Sequence, residues 1–420
     1  MRFTAGIAVA VAGSNLLIGA VPSVASGDLV YVGRWPLGVV VDAEGTAYVG
    51  DTGGVHVLPT GASTPTQTLM TGVSPNGLAL SADGTLFVEG SALGELRQEK
   101  LTVIPKGSSA VARTIPLSLG AHLISAAADG TVFVPNPELG TVSIIPPGAD
   151  APAHDVTVGN NPKEVAIAQD GTAYVTNQGG GTVSVIAPGD GTVSRTIDVR
   201  KTTDSAGAPH GIAVGPDGAV YVTNITSNDV AVIKPGESAV SYRVPVPGGP
   251  KEIAIGPDST VYVLSENSSL NVIAPGETSV RRSQPTARNP GHLAVAPNGS
   301  VLVTNTADMS VTVFPAQDLS IPALAAVKAQ AAEAQTGAEA EAKATEPTAQ
   351  ATSDTTGNGI MSNLPVIVGT VAAAILVGAA ALILAGRRRR RSEAAQEAAT
   401  LEPSAEDPER SPVLSDHTPN

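Results

Sequence analysis

The chain has 420 residues, no cysteine, 15% charged residues and a formal net charge of −14. Without cysteine it has no disulfide, thiolate metal centre or cysteine nucleophile, and its acidic balance argues against nucleic acid as a partner. Aromatics make up only 3% of the residues, too few for a rich stacking platform, and the length suits one large folded unit with tails.

Met1 and Arg2 precede an apolar run from Ala5 to Val21 and a small-residue stretch ending near Ser26. That layout predicts a secretory signal peptide over residues 1–26, with an uncleaved anchor as the alternative. Either one takes the following residues out of the cytoplasm. Asp28 to Trp35 reads DLVYVGRW and stands before Pro36 as SYRVPVPGG (241–249) stands before Pro250. It is therefore expected to be an outer strand with no blade of its own.

A repeating unit follows, clearest from Pro209 to Gly236: a short apolar run, a Pro-Asp-Gly turn, a second run ending in Thr-Asn and a third ending in Pro-Gly. These are three strands of an antiparallel sheet. The turn glycine or its equivalent returns at Gly45, Gly84, Gly130, Gly171, Gly218, Ser259 and Gly299, at intervals of about 40 residues, which predicts an all-β, seven-bladed β-propeller over residues 27–320. The middle of the first strand holds Ala79, Ala166, Ala213, Ala254 and Ala294, with Val40 and Ile124 as exceptions. The middle of the second holds Tyr48, Phe87, Phe133, Tyr174, Tyr221, Tyr262 and Leu302. Small residues suit the crowded strand beside the axis, and large ones fill the widening gap between blades. The seventh repeat supplies only three strands, so the N-terminal strand is expected to complete it and close the ring.

AYVTN (173–177), VYVTN (220–224) and LVTN (302–305), each after a PDG-like turn, resemble the YVTN and NHL classes of bacterial propeller repeats. The resemblance covers residues 27–320 and implies the scaffold. It implies no single activity, because such propellers serve as sensors, adhesins, lyases and lactonases alike.

Repeats four to seven are the most regular. The second has an insertion around Ser91 to Lys100, and the third has Pro135 and Pro137 near the Thr-Asn position. From Ile321 the composition turns to Ala, Glu, Gln and Thr, which predicts a stalk over 321–363 that is part helical and part disordered. Leu364 to Gly386 carries no charge and would span about 34 Å as a helix, against a bilayer core of about 30 Å. Arg387 to Arg391 follows at once. The expected layout is a single transmembrane helix over 364–386, a cytoplasmic tail over 387–420 and the propeller outside the cell, a type I single-pass protein of the cell membrane. Leu364-Pro365 is not followed by the x-Thr-Gly of a sortase signal.

No phosphate loop, His-Glu-x-x-His pair or Gly-x-Ser-x-Gly elbow is present. The Asp-Gly pairs at 83, 129, 170 and 217 are read as hairpin turns. The candidate constellation lies where each innermost strand begins: Asn76, His122, Lys163, Glu164, His210, Lys251, Glu252 and His292 follow the proline, or its equivalent, by one or two positions. They are expected to ring one mouth of the channel, joined by Asn177, Asn224, Glu266 and Asn305 from the connections after the second strands. Convergent His, Glu and Lys side chains can bind an anion or a metal, or act as acid and base. Polar residues at a wet channel mouth also need no function, and Lys-Glu neighbours can be surface ion pairs.

The functional expectation is a tethered extracellular module that binds a polymer, peptide or protein, with no cofactor and no catalytic residue. Its ligand-binding positions are His122, Lys163, Glu164, His210, Asn224, Lys251, Glu252 and His292. The alternatives are a metal-dependent lactonase- or lyase-like enzyme with Glu164, Glu252 and Asn224 as ligands, and a plain spacer.

Overall fold

The computed structural model describes residues 27–94, 98–121, 123–202 and 207–320. The expected signal peptide, stalk, membrane span and cytoplasmic tail, like His122, lie outside the described residues. Among the described residues no helix is long and apolar enough to cross a membrane. The described residues form seven four-stranded antiparallel sheets; in six of them the strands run in sequential order from the axis outward, and in the seventh the N-terminal strand is outermost.

Blade 5 shows how the local sequence builds one sheet. Pro209–Val214 runs from the mouth to the opposite face, and a turn at Asp217-Gly218 reverses it. The Asp217 carboxylate accepts the Ala219 N–H at 3.1 Å, and Gly218 takes a φ of 78° that suits glycine. Asp83, Asp129 and Asp170 do the same in their own blades. Val220–Asn224 then returns between its neighbours and is buried along its whole length. That explains the unbroken apolar run in place of alternation.

The recurring slots are cross-strand partners. Ala213 lies opposite Tyr221 and Tyr221 opposite Val232, and the same trio recurs as Ala166–Tyr174–Val185 and Ala254–Tyr262–Val272. Blade 3 corrects the sequence alignment. Phe133 pairs with Ser125, not Ile124, in a first strand of only two residues. The slot therefore keeps its small residue, and Ile124 is displaced by one position into the packing below.

The threonine of the YVTN-like motif joins blades. At the mouth end of blades 4, 5 and 7 the first strand bulges, so that two residues oppose one. The opposing hydroxyl fills that gap: Thr176 accepts the Glu164 N–H, Thr223 the Gly211 N–H and Thr304 the His292 N–H, at 2.8–3.1 Å. Each then donates at 2.7 Å to the next blade, to the carbonyls of His210, Lys251 and Leu37 respectively. The motif asparagine acts inside its own blade. Asn177 donates to Thr182 and Ser184, and Asn305 to Thr312. Since Thr304 is fully buried, Thr304→Val is expected to cost about 1–3 kcal/mol by orphaning two backbone groups. The exposed Thr114→Val should stay within about 0.5 kcal/mol. Equal shifts in the denaturation midpoints of the two variants would count against the latch.

The ring closes as expected. Asp28–Tyr31 pairs with Ser310–Phe314 and becomes the outer strand of blade 7. Its inward-facing residue is Val30, however, with Val32 following; Leu29 and Tyr31, the larger apolar residues, are exposed. The short helix Ala316–Leu319 tucks Leu319 against blades 6 and 7. Gly27 and Ala316 both sit on the side opposite the mouth: Asp28 pairs with Val313 near the far end of its strand, and Ala316 packs beside the Gly299 turn.

Candidate functional site

The bulges that the threonines support also aim the candidate side chains. A bulge adds one residue to a strand and redirects its side chains. In blade 4 the added pair is Lys163 and Glu164, in blade 5 His210 and Gly211, and in blade 7 Gly291 and His292; in blade 6 the added residue is Lys251, next to Glu252.

Side chains from three blades meet at Glu252. His210 Nδ1 lies 3.4 Å from its Oε1 and His292 Nδ1 3.4 Å from its Oε2, while Lys251 Nζ stands 4.0 Å from Oε1. Glu252 is only 2% exposed and His210 7%, so these are enclosed groups and not the wet surface residues that the sequence suggested. Neither His210 Nδ1 nor Glu252 Oε1 has a well-formed hydrogen bond, which leaves two buried polar atoms turned toward each other and toward the mouth. Glu164 takes part from blade 4, its Oε2 accepting the Ile212 N–H at 3.1 Å. Together with Asn76 and His292 it lines the axial cavity of about 440 Å³.

The electrostatics split the two carboxyls. Burial raises the Glu164 carboxyl well above its usual range, and the nearby Glu252 charge adds to the shift. Burial pushes Glu252 the same way, but the imidazoles of His292 and His210 and the Lys251 ammonium outweigh it and hold this carboxyl below the usual range. Two close carboxyls in one enclosure resist ionising together. Burial lowers His210 to about 4, against the pull of Glu252, and it lowers Lys163, to which Lys251 adds. Near neutrality the cluster thus combines an ionised Glu252 and a neutral His210 with a Glu164 whose burial favours its uncharged form, beneath two lysines.

The other expected positions separate from this group. Asn224 is fully buried and donates to Asp229 Oδ1 at 3.0 Å inside blade 5, where Arg243 also binds that carboxylate. Asn177 and Asn305 are blade locks. Glu266 lines a recess of about 200 Å³ with Lys251, Asn289 and Pro290. The sequence reading missed Glu89, which occupies the motif-threonine position of blade 2 and is completely buried. The signal was an acid where four of its neighbours are apolar.

No protein-family model and no curated protein matches the sequence. Solved structures do match in fold. A streptogramin B lyase shares 16% identity at a TM-score of 0.56, over 67% of this chain and 93% of that one. The hydrazine synthase of Kuenenia stuttgartiensis shares 16% at 0.58, over 71% and 98%. A virginiamycin B lyase from Staphylococcus aureus shares 14% at 0.55, over 68% and 98%. The chain is a seven-bladed propeller of the same general architecture as these proteins. At such identities the likeness extends to the fold alone.

Proposed function

We propose that this chain is a membrane-tethered, extracellular YVTN-type propeller that binds ligands at its channel mouth, as a sensor or adhesion module, and that the group it recognises is an anion. The convergence on Glu252 carries the reading. Lys251 faces the ionised Glu252, Lys163 stands near Lys251 and the neutral His210, and burial disfavours the charged form of Glu164. A carboxylate, sulfate or phosphate arriving there meets a net positive charge and hydrogen-bond donors. Thermal unfolding of the full-length chain against a panel of dicarboxylates, uronic acids, sugar phosphates and sugar sulfates tests this. At least one class is expected to stabilise the chain, by about 2.7 kcal/mol at a hundredfold excess over Kd. The gain should vanish in the double variant Lys163→Gln/Lys251→Gln and persist in Asp217→Ala, in a turn of the opposite face. No stabilisation, or an equal gain in the lysine variant, removes the anion reading.

A second reading is lyase- or lactonase-like chemistry. Its support is the neutral imidazole beside an ionised carboxylate, which is the equipment of a general base. A histidine-to-alanine form of the Staphylococcus aureus virginiamycin B lyase is described as catalytically inactive. The metal-dependent version does not fit these residues. Asn224 is committed to Asp229, and among the described residues no three His, Cys, Asp or Glu side chains are set to hold one ion.

The tether rests on the sequence of residues 1–26 and 364–391. Because the chain has no native cysteine, single cysteines report its topology cleanly. One at Ser353 is expected to react with an impermeant maleimide in intact cells, and one at Ser404 to resist it. Equal labelling would end the type I arrangement.

A further inference from the structure

The exposed large apolar side chains distinguish the two faces of the ring. Trp35, Met70, Leu93, Leu119, Leu139 and Met309 are all exposed. Each lies in a connection at the mouth face, either between an outer strand and the next blade or between a second and a third strand. Among the described residues no connection of the opposite face carries an exposed large apolar side chain. The six follow one another round the ring from blade 7 through blades 1 and 2 to blade 3, whereas the charged cluster comes from blades 4 to 7. Single exposed apolar residues need no explanation, but a set confined to one face and one arc marks an interaction surface.

Trp35 supplies an independent sign. It is the one tryptophan of the sequence, it is 59% exposed, and its φ is 62°. The equivalent slot before the mouth proline holds Asn161, Ala208, Gly249 and Asn289, with φ of 57°, 51°, 72° and 53°. Asn and Gly tolerate the left-handed region, whereas a bulky aromatic resists it. Blade 1 therefore keeps a large ring in an unfavourable backbone state without burying it, a pattern found where the side chain is held for contact.

We infer that the mouth face docks an acidic, aliphatic polypeptide segment of a partner protein. Its apolar side chains seat on the arc from Met309 and Trp35 to Leu139, and one of its carboxylates enters between Lys163 and Lys251. This rests on the anion reading above and names the ligand class. Charge complementarity selects the occupant: Lys163 and Lys251 stand near each other at the mouth, and burial disfavours the charged form of Glu164 beside them. An arc spread over four blades exceeds what a small anion touches. The first strand begins and the last strand ends at the opposite face, at Asp28 and Phe314.

The test is selection of a random dodecapeptide display library on the full-length chain in detergent. Enriched peptides are then synthesised with their acids intact or replaced by Gln and Asn. The expected peptides combine at least one acid with Leu, Ile or Phe and shift the emission of Trp35, the chain's one indole fluorophore. They should bind at least fivefold more weakly to Trp35→Ser and to Met309→Ser, and equally well to Leu29→Ser. Neutralised peptides should bind at least tenfold more weakly. No enrichment, or enriched peptides indifferent to both Trp35→Ser and Met309→Ser, overturns the docking surface. Binding of the chain to phosphatidylglycerol vesicles with a Trp35 emission shift, in place of peptide selection, assigns the face to lipid and overturns it too. A Trp35-dependent dimer in sedimentation velocity does the same in favour of a second copy. If Lys163→Gln/Lys251→Gln abolishes binding while Trp35→Ser does not, the anion site stands and the docking surface falls. The reverse result overturns the anion reading and, with it, the acidic segment proposed here.

Discussion

Deleting Asp28 to Gly33 is expected to lower the unfolding free energy by about 4 kcal/mol or more, a large part of the 5–15 kcal/mol typical of a whole domain. The strand is the fourth of blade 7, and its loss takes away Val30 and Val32, now 4% and 6% accessible, and uncovers the apolar side chains they pack against. Burying each such side chain is worth about 1.5–3 kcal/mol. The deletion also opens the Ser310–Phe314 edge at the one place where the ring is closed by residues distant in sequence. Point variants separate the causes. Val30→Ala is expected to cost about 1–2 kcal/mol, while Tyr31→Ser, at a side chain 70% exposed, should stay within about 0.5 kcal/mol. A deletion that leaves the denaturation midpoint near that of Tyr31→Ser would show that the strand does not close the ring in solution.

The same strand shows which parts of the fold were legible in the sequence. That it was a strand, and that blade 7 lacked one, followed from the repeat count and the Pro36 position. Which face it buried did not follow. In DLVY side-chain size alone favours burying Leu29 and Tyr31, but register with Ser310–Phe314 is set by hydrogen bonding and turns Val30 inward. Blade 3 behaves alike: the period located Phe133 but misplaced its partner by one residue, because a two-residue strand has too little pattern to fix register.

Bulges limited the reading of the site. Periodicity put His210, Lys251, Glu252 and His292 on one ring at the mouth, and the distances to Glu252 show that they converge there. Their enclosure was hidden, because two residues opposing one break the alternation that tells inside from outside. Asn224 was misread for a different reason. Its position at the end of a second strand is near the mouth in sequence, yet its amide is taken by Asp229, five residues on. Composition does not reveal a lock of that kind until the third strand is folded back.

Glu89 is a buried acid outside the mouth cluster, and Glu89→Gln is expected to change how stability depends on pH. In blades 4, 5 and 7 the equivalent threonine fills the bulge and reaches the next blade. Blade 2 instead presents a carboxyl that burial, with the nearby Glu99 charge, raises to about 8, despite weak support from Asn76 and the Gly77 N–H. Neither of its oxygens has a well-formed hydrogen bond. From the usual 4.5 up to about 8 the unfolded chain has released this proton while the folded chain retains it. Stability contributed by Glu89 is therefore full below pH 4.5 and declines as pH rises through that window, by a total of about 3–5 kcal/mol. His210 works in the opposite direction. Lowered from 6.5 to about 4, it costs stability as pH falls across that interval, because the unfolded chain takes up the proton first. Glu164, raised by burial, adds to the alkaline limb, and Glu252, held low, adds to the acid one. In Glu89→Gln the alkaline limb should flatten, leaving the variant the more stable protein at pH 8.5 by up to a few kcal/mol and near parity at pH 4.5, with the acid limb unchanged. Denaturant midpoints for both proteins from pH 4 to 9 measure this. Parallel alkaline limbs would mean that Glu89 is solvated in the folded chain and that blade 2 is open at its mouth end.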